Sequence, residues 1–164
     1  PTFMDPRLAP LAETLALNTR LFTNCLAGLS DEQAHVRFGD HANHAAFVAA
    51  HMVESRVWGL SLLGVTFNNP LAPALAGART LDEVKDPLPL DVTRAAWTSV
   101  SEALQAALES ATSDQLAAEC KMPIPGVTQT VLGVLAFVVQ HDTYHLGQLS
   151  LLRRQVGLAG MSYS

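Results

Sequence analysis

Apolar residues recur at steps of three and four in four long stretches of this chain, and no stretch of useful length alternates at a step of two. Steps of three and four place side chains on one face of an α-helix, whereas a step of two places them on one face of a strand. The chain is therefore expected to be all-α. Leu8, Leu11, Leu15, Phe22, Cys25, Leu26 and Leu29 predict a first helix from about Pro6 to Gly28. Phe47, Val48, His51, Ser55, Trp58 and Leu62 predict a second, with Asn43 as its cap and Gly64 as its stop. Ala96, Trp97, Val100, Leu104, Ala107 and Leu108 predict a third, capped by Asp91 and ending near Thr112. The fourth carries Val131, Val134, Leu135, Val138, His141, His145, Leu149 and Leu152. Thr128 or Thr130 can cap it, and Arg153, Arg154 and Gly157 mark its end.

The connections constrain how these helices are joined. Ser30-Asp31-Glu32-Gln33 is a capping-box pattern for a short turn, followed by a polar connector through Gly39, Asp40 and His41. Residues 64–90 hold Pro70, Pro73, Pro87, Pro89 and Asn68-Asn69, with one short helical candidate opening at Thr80. A helix of about 20 residues is about 30 Å long, and this segment is long enough to run back along it. The expectation is an up-down-down-up four-helix bundle with a long crossover between helices 2 and 3, the crossover being the candidate mobile segment. A second irregular stretch, Cys120 to Gly126, excludes a regular helix through its two prolines.

With 164 residues, 49% of them hydrophobic and 15% charged, there is material for one core, and residues 1–164 are expected to form a single domain. The net charge of −5 and the absence of any Lys/Arg run argue against a nucleic-acid partner. Cys25 and Cys120 lie far apart, in no redox or metal-binding spacing. No apolar run approaches the roughly 20 residues needed to cross a bilayer. The N-terminal residues also lack the continuous apolar segment of a signal peptide. A cytoplasmic location without membrane contact is the expectation.

The chemistry concentrates in histidines. His141 and His145, four apart on the fourth helix, share a face and can reach one metal ion; His51 lies on the inward stripe of the second helix. A buried imidazole is costly unless its nitrogens find partners, and three on two opposed helices are most economically served by a shared divalent cation with an open position. All-nitrogen ligation suits zinc, nickel, copper or iron and disfavours magnesium or calcium. Glu54, one turn after His51, can serve as a fourth ligand, an acceptor behind an imidazole, a general base, or a surface carboxylate facing Arg56. Asp142 is turned by about 100° from His141 and so is not expected to bind the ion directly. Gln148 neighbours the pair, His44 lies too far along its helix to share the ion, and His35 and His41 are expected in solvated connectors. Tyr144 and Trp58 read as packing residues. A di-iron carboxylate site is excluded because the fourth helix carries no glutamate.

His51 in Ala50-His51-Met52-Val53, together with His141-x-x-x-His145-x-Gly147-Gln148, resembles the DinB-like (YfiT-like) metalloenzymes over nearly the whole chain. That resemblance implies an up-down-down-up bundle, often dimeric, with His51, His141 and His145 as ligands of zinc or nickel. It further implies a thiol S-transferase acting on a low-molecular-weight thiol, such as bacillithiol or mycothiol, and an electrophile. A metal-dependent hydrolase and a non-catalytic metal-binding stress-response bundle remain the alternatives, and a homodimer is compatible with apolar Trp58, Leu60 and Leu63.

Overall fold

Each of the four apolar stretches is a helix in the computed structural model, which describes residues 3–75, 77–85 and 87–164. A 3-10 turn at Pro6–Leu8 leads into α1 (Ala9–Leu26), followed by the single-turn α2 (Asp31–Ala34) and by α3 (Ala45–Leu62). The crossover contains α4 (Ala72–Leu75) and a 3-10 turn at Leu81–Glu83. It delivers the chain to α5 (Leu90–Ser110), α6 (Ser113–Ala117) and α7 (Val131–Gln155). No strand forms among the described residues, where an isolated bridge joins Glu119 and Thr130. Nor is any described helix long and apolar enough to cross a membrane.

Local signals start most of these helices. Ser30 and Gln33 form a reciprocal capping box on α2, and the Thr130 hydroxyl accepts from the Gly133 N–H at the start of α7. Two caps differ from expectation, each because a distant segment intervenes. His44 caps α3 through Nδ1, which accepts from the Phe47 N–H at 3.0 Å, while the Asn43 amide oxygen accepts from Leu81 N–H in the crossover. Helix α5 starts at Leu90, before Asp91, because Asp31 of α2 accepts the Leu90 N–H at 2.8 Å. The short helices α4 and α6 were not expected, although Thr112 and Gln115 spell a capping box for the latter.

Packing runs α1 on α7, α7 on α3, α3 on α5 and α5 on α1. Helix α3 therefore has two large neighbours, and Ala46, Ala49, Ala50, Met52, Val53 and Leu60 are all buried around it. The one-sided stripe anticipated for this helix is correspondingly wrong in part: Trp58 is 36% exposed. The crossover is anchored, with Leu71, Leu75 and Leu88 in the core and an Arg37–Asp82 ion pair holding it to the α2–α3 connector. Burying each leucine contributes roughly 1.5–3 kcal/mol, so this segment is pinned at several points along its length.

Gly133 lies in the first turn of α7 where the Thr128 backbone passes so close that a Cβ would overlap its carbonyl oxygen and lie 2.7 Å from its Cβ. Gly133→Ala is expected to lower stability by about 1–3 kcal/mol, as over-packing does, measured by urea denaturation; an unchanged midpoint would mean that the 118–130 loop moves aside freely.

His44 is a second sensitive point. Burial, reinforced by the His35 imidazole whose ring centre lies 4.9 Å away and by the nearby Arg37, pushes its pKa from 6.5 down to about 4. The folded protein thus holds His44 neutral while the unfolded chain protonates it. Stability is complete above pH 6.5 and is lost as pH falls from there toward 4, at up to about 1.4 kcal/mol per pH unit. His44→Asn keeps a good cap and removes the titration, so its stability should fall less steeply over that window in pH-dependent denaturation. His35, expected to be solvated, is half-buried: Nδ1 donates to the Asp31 carbonyl at 2.7 Å and Nε2 accepts from the Leu88 N–H.

Candidate metal centre

Helices α3 and α7 meet along a seam, and at its middle His51 of α3 faces His141 and His145 of α7. The Nε2 of His141 lies 3.1 Å from that of His51 and 3.0 Å from that of His145. The three candidate donor atoms all fall within 4.8 Å of one another. Two imidazole nitrogens at about 2.0–2.1 Å from one ion sit roughly 3 Å apart, so these separations suit a shared cation.

The far side of His145 fixes its tautomer, and that of His141 meets a hydroxyl. His145 Nδ1 donates to the Gln148 Oε1 at 2.6 Å, and His141 Nδ1 lies 3.2 Å from the Ser55 hydroxyl. With the same tautomer at His51 and His141, all three Nε2 atoms would present lone pairs to one point. Burial and the neighbouring imidazoles push His51 and His141 down to about 4, and burial lowers His145 despite Gln148. All three are neutral near pH 7. Converging neutral acceptors with no donor between them are a poor arrangement on their own and a good one for a divalent transition metal, which fits the donor set.

Glu54 lies at the edge of this group, its Oε2 4.0 Å from His51 Nδ1, and burial raises its pKa. It does not pair with Arg56. A cavity of about 260 Å³ opens beside the histidines, bounded by His51, Glu54, Ser55, Trp58, Phe137 and His141. Trp58, expected as packing, is instead a wall of this space, and Tyr144 is exposed beside His145. Gly147 has open space where a side chain would go. A larger groove of about 500 Å³ lies between α1 and α5, on the seam opposite the histidines.

The sequence reading missed what lies directly behind the site. Arg56 and Asp142, each one residue beyond a site residue (Ser55 and His141), are both completely buried and joined across α3 and α7. The Arg56 Nε and one terminal nitrogen donate to Asp142 Oδ2 at 2.9 and 2.7 Å. The other donates to Thr19 of α1 at 2.7 Å and Ser101 of α5 at 2.6 Å. Its guanidinium carbon sits 3.7 Å from the centre of the Trp97 ring. One side chain thereby ties all four long helices together just beneath the histidines. A helical signal for it existed: Arg56 follows Met52 by four and Asp142 precedes Leu146 by four, so both fall on buried faces.

A sequence model described as the DinB superfamily matches residues 14–149. No curated protein matches the chain. Among solved structures, one described as a conserved protein from Enterococcus faecalis superposes with a TM-score of 0.70. It covers 91% of this chain and 96% of its own at 16% identity, a likeness of fold.

Proposed function

The chain belongs to the DinB superfamily, and from that premise we propose that it is a metal-dependent enzyme holding one divalent cation through His51, His141 and His145. The observation that carries the proposal is the convergence of three neutral Nε2 atoms beside an open cavity. The same reading takes α1, α3, α5 and α7 as an up-down-down-up bundle; the ring of packed pairs and the length of the crossover support it. Zinc or nickel is the metal we favour: three imidazoles suit both, as they suit copper and iron, and the resemblance to the DinB-like metalloenzymes narrows the choice to these two.

A cation in this position supplies Lewis acidity, lowering the pKa of a thiol or water that shares it. The protein does the rest. Ser55 and Gln148 orient His141 and His145 through their Nδ1 atoms, the kind of support that fixes ring direction and raises donor basicity. Glu54 borders the cavity, and its raised pKa brings the carboxyl nearer the pH at which one group both accepts and returns a proton. Glu54 is therefore the proton acceptor in our reading. The Trp58 and Phe137 side chains offer the second reactant an apolar surface to cover.

For the reaction we propose S-transfer: the sulfur of a small thiol bonds to an electrophilic carbon as that carbon's bond to its leaving group breaks. The leaving group departs with the electron pair, and the thiol proton passes to Glu54; a cation held by the three histidines would favour the thiolate. Protein purified without a histidine tag is expected to retain about one zinc or nickel per chain. It should also conjugate monochlorobimane with at least one member of a panel of cellular thiols. Metal retention without turnover for any thiol would remove the transferase assignment and leave ester or amide hydrolysis at the same centre. Absence of stoichiometric metal would remove the enzyme altogether.

A further inference from the structure

The cavity beside the histidines has a charge character that restricts what enters it. Of its six bounding residues, Glu54 is the one carboxylate, Trp58 and Phe137 are aromatic, and none is lysine or arginine. Three arginines of the surrounding elements are committed elsewhere. Arg56 is buried against Asp142, Arg37 pairs with Asp82, and Arg153 donates to the carbonyls of Asn24, Cys25, Ala27 and Ala159. The chain as a whole carries −5, whereas a divalent cation on the histidines would draw an anionic group to its own open position, so the selection falls on the far end of a bound molecule, beside Glu54.

The walls have a character of their own. Trp58 is 36% exposed on a helix whose neighbouring turns are buried, and Phe137, half-buried, stands on the other helix of the same seam. Their ring faces are the apolar surface a bound molecule covers, and aromatic faces also attract cations. At about 260 Å³ the space falls just below the usual range for drug-sized ligands. It suits a molecule of about one ring with a short substituent.

We propose that this cavity selects molecules whose metal-remote end is a flat apolar body, uncharged or cationic, seated between Trp58 and Phe137, and that Glu54 rejects a carboxylate or phosphate at that end. The inference rests on the metal-centre reading and names the substrate class for it: an aryl or similarly flat electrophile without an acidic group at its far end.

Four hydroxamic acids test this on zinc-loaded protein by titration calorimetry, because each anchors to the metal and differs in what it places in the cavity. Benzohydroxamic acid should bind at least tenfold tighter than acetohydroxamic acid, and Trp58→Ala should abolish that advantage. The 4-aminomethyl derivative should bind at least tenfold tighter than the 4-carboxy derivative, and Glu54→Gln should bring the two within threefold. Circular dichroism of both variants, whose altered side chains are partly exposed, checks that the fold is kept. Equal affinity with and without the ring, or for the anionic and cationic derivatives, overturns the inference while leaving the metal centre standing. Failure to take up zinc, or zinc uptake with no hydroxamate bound, overturns the open metal site and this inference with it.

Discussion

Asp142→Ala should destabilise the protein by about 3–5 kcal/mol, the usual cost of leaving one member of a buried ion pair without its partner. Arg56 has no route to solvent: its side chain is 0% exposed and sits between the Trp97 ring, Thr19, Ser101 and the carboxylate. Removing Asp142 leaves the guanidinium charge buried with no anion, only the Thr19 and Ser101 hydroxyls and the Leu15 carbonyl accepting from it. The converse replacement of both residues by apolar ones, Arg56→Met with Asp142→Leu, should recover most of that loss, because two charges then no longer need desolvating. Recovery is favoured further by Asp142 Oδ1, which is buried without a hydrogen-bond partner among the described residues and contributes only cost. Urea denaturation of the parent and the two variants decides the matter. A single variant that loses under about 1 kcal/mol, or a double variant no better than the single, would show that the pair does not hold the helices as described. Because Ser55 and His141 immediately precede the two charges, the double variant should also bind metal more weakly even where its stability recovers.

His141→Ala should abolish stoichiometric metal binding while leaving the metal-free fold intact. His141 is the middle member of the group, its Nε2 within 3.1 Å of both others, so its loss leaves two imidazoles that no longer bracket a common point. Its effect should exceed the roughly 10–100-fold weakening expected when only a supporting hydrogen bond is lost. Gln148→Ala and Ser55→Ala should fall within that smaller range, since they remove the partners of His145 and His141 Nδ1 and leave all three Nε2 donors in place. Competition for zinc against a chromophoric chelator gives all three affinities. Equal metal content in His141→Ala and the parent protein would place the ion elsewhere. The stability of metal-free His141→Ala should match or slightly exceed that of the metal-free parent, because three lone pairs no longer crowd one volume.

The four long helices were legible because each carries a stripe at helical spacing, and α5 follows its stripe closely, with Ala96, Trp97, Val100, Leu104, Ala107 and Leu108 all buried. Helix α3 was harder, since a helix packed on two sides has no single apolar face, and its alanines carry little pattern. Caps at Ser30 and Thr130 could be read locally; those of α3 and α5 could not, because Asn43 and Leu90 are taken by partners 38 and 59 residues away. The histidines were nameable because His141 and His145 are one turn apart. Ser55 could be placed on the stripe of His51, but nothing in its own neighbourhood says that an imidazole from α7 will lie against it.

Sequence alone determined that this chain is helical, where its long helices run, and which histidines share a face, because those properties depend on spacing along one helix. Tertiary structure alone decided that α3 and α7 meet at the register bringing His51 to His141, that Trp58 and Phe137 border a cavity, and that Arg56 and Asp142 neutralise each other. Those outcomes depend on how two helices slide and rotate against one another. That choice is made by the whole packed interior, and by the high cost of burying one charge without the other.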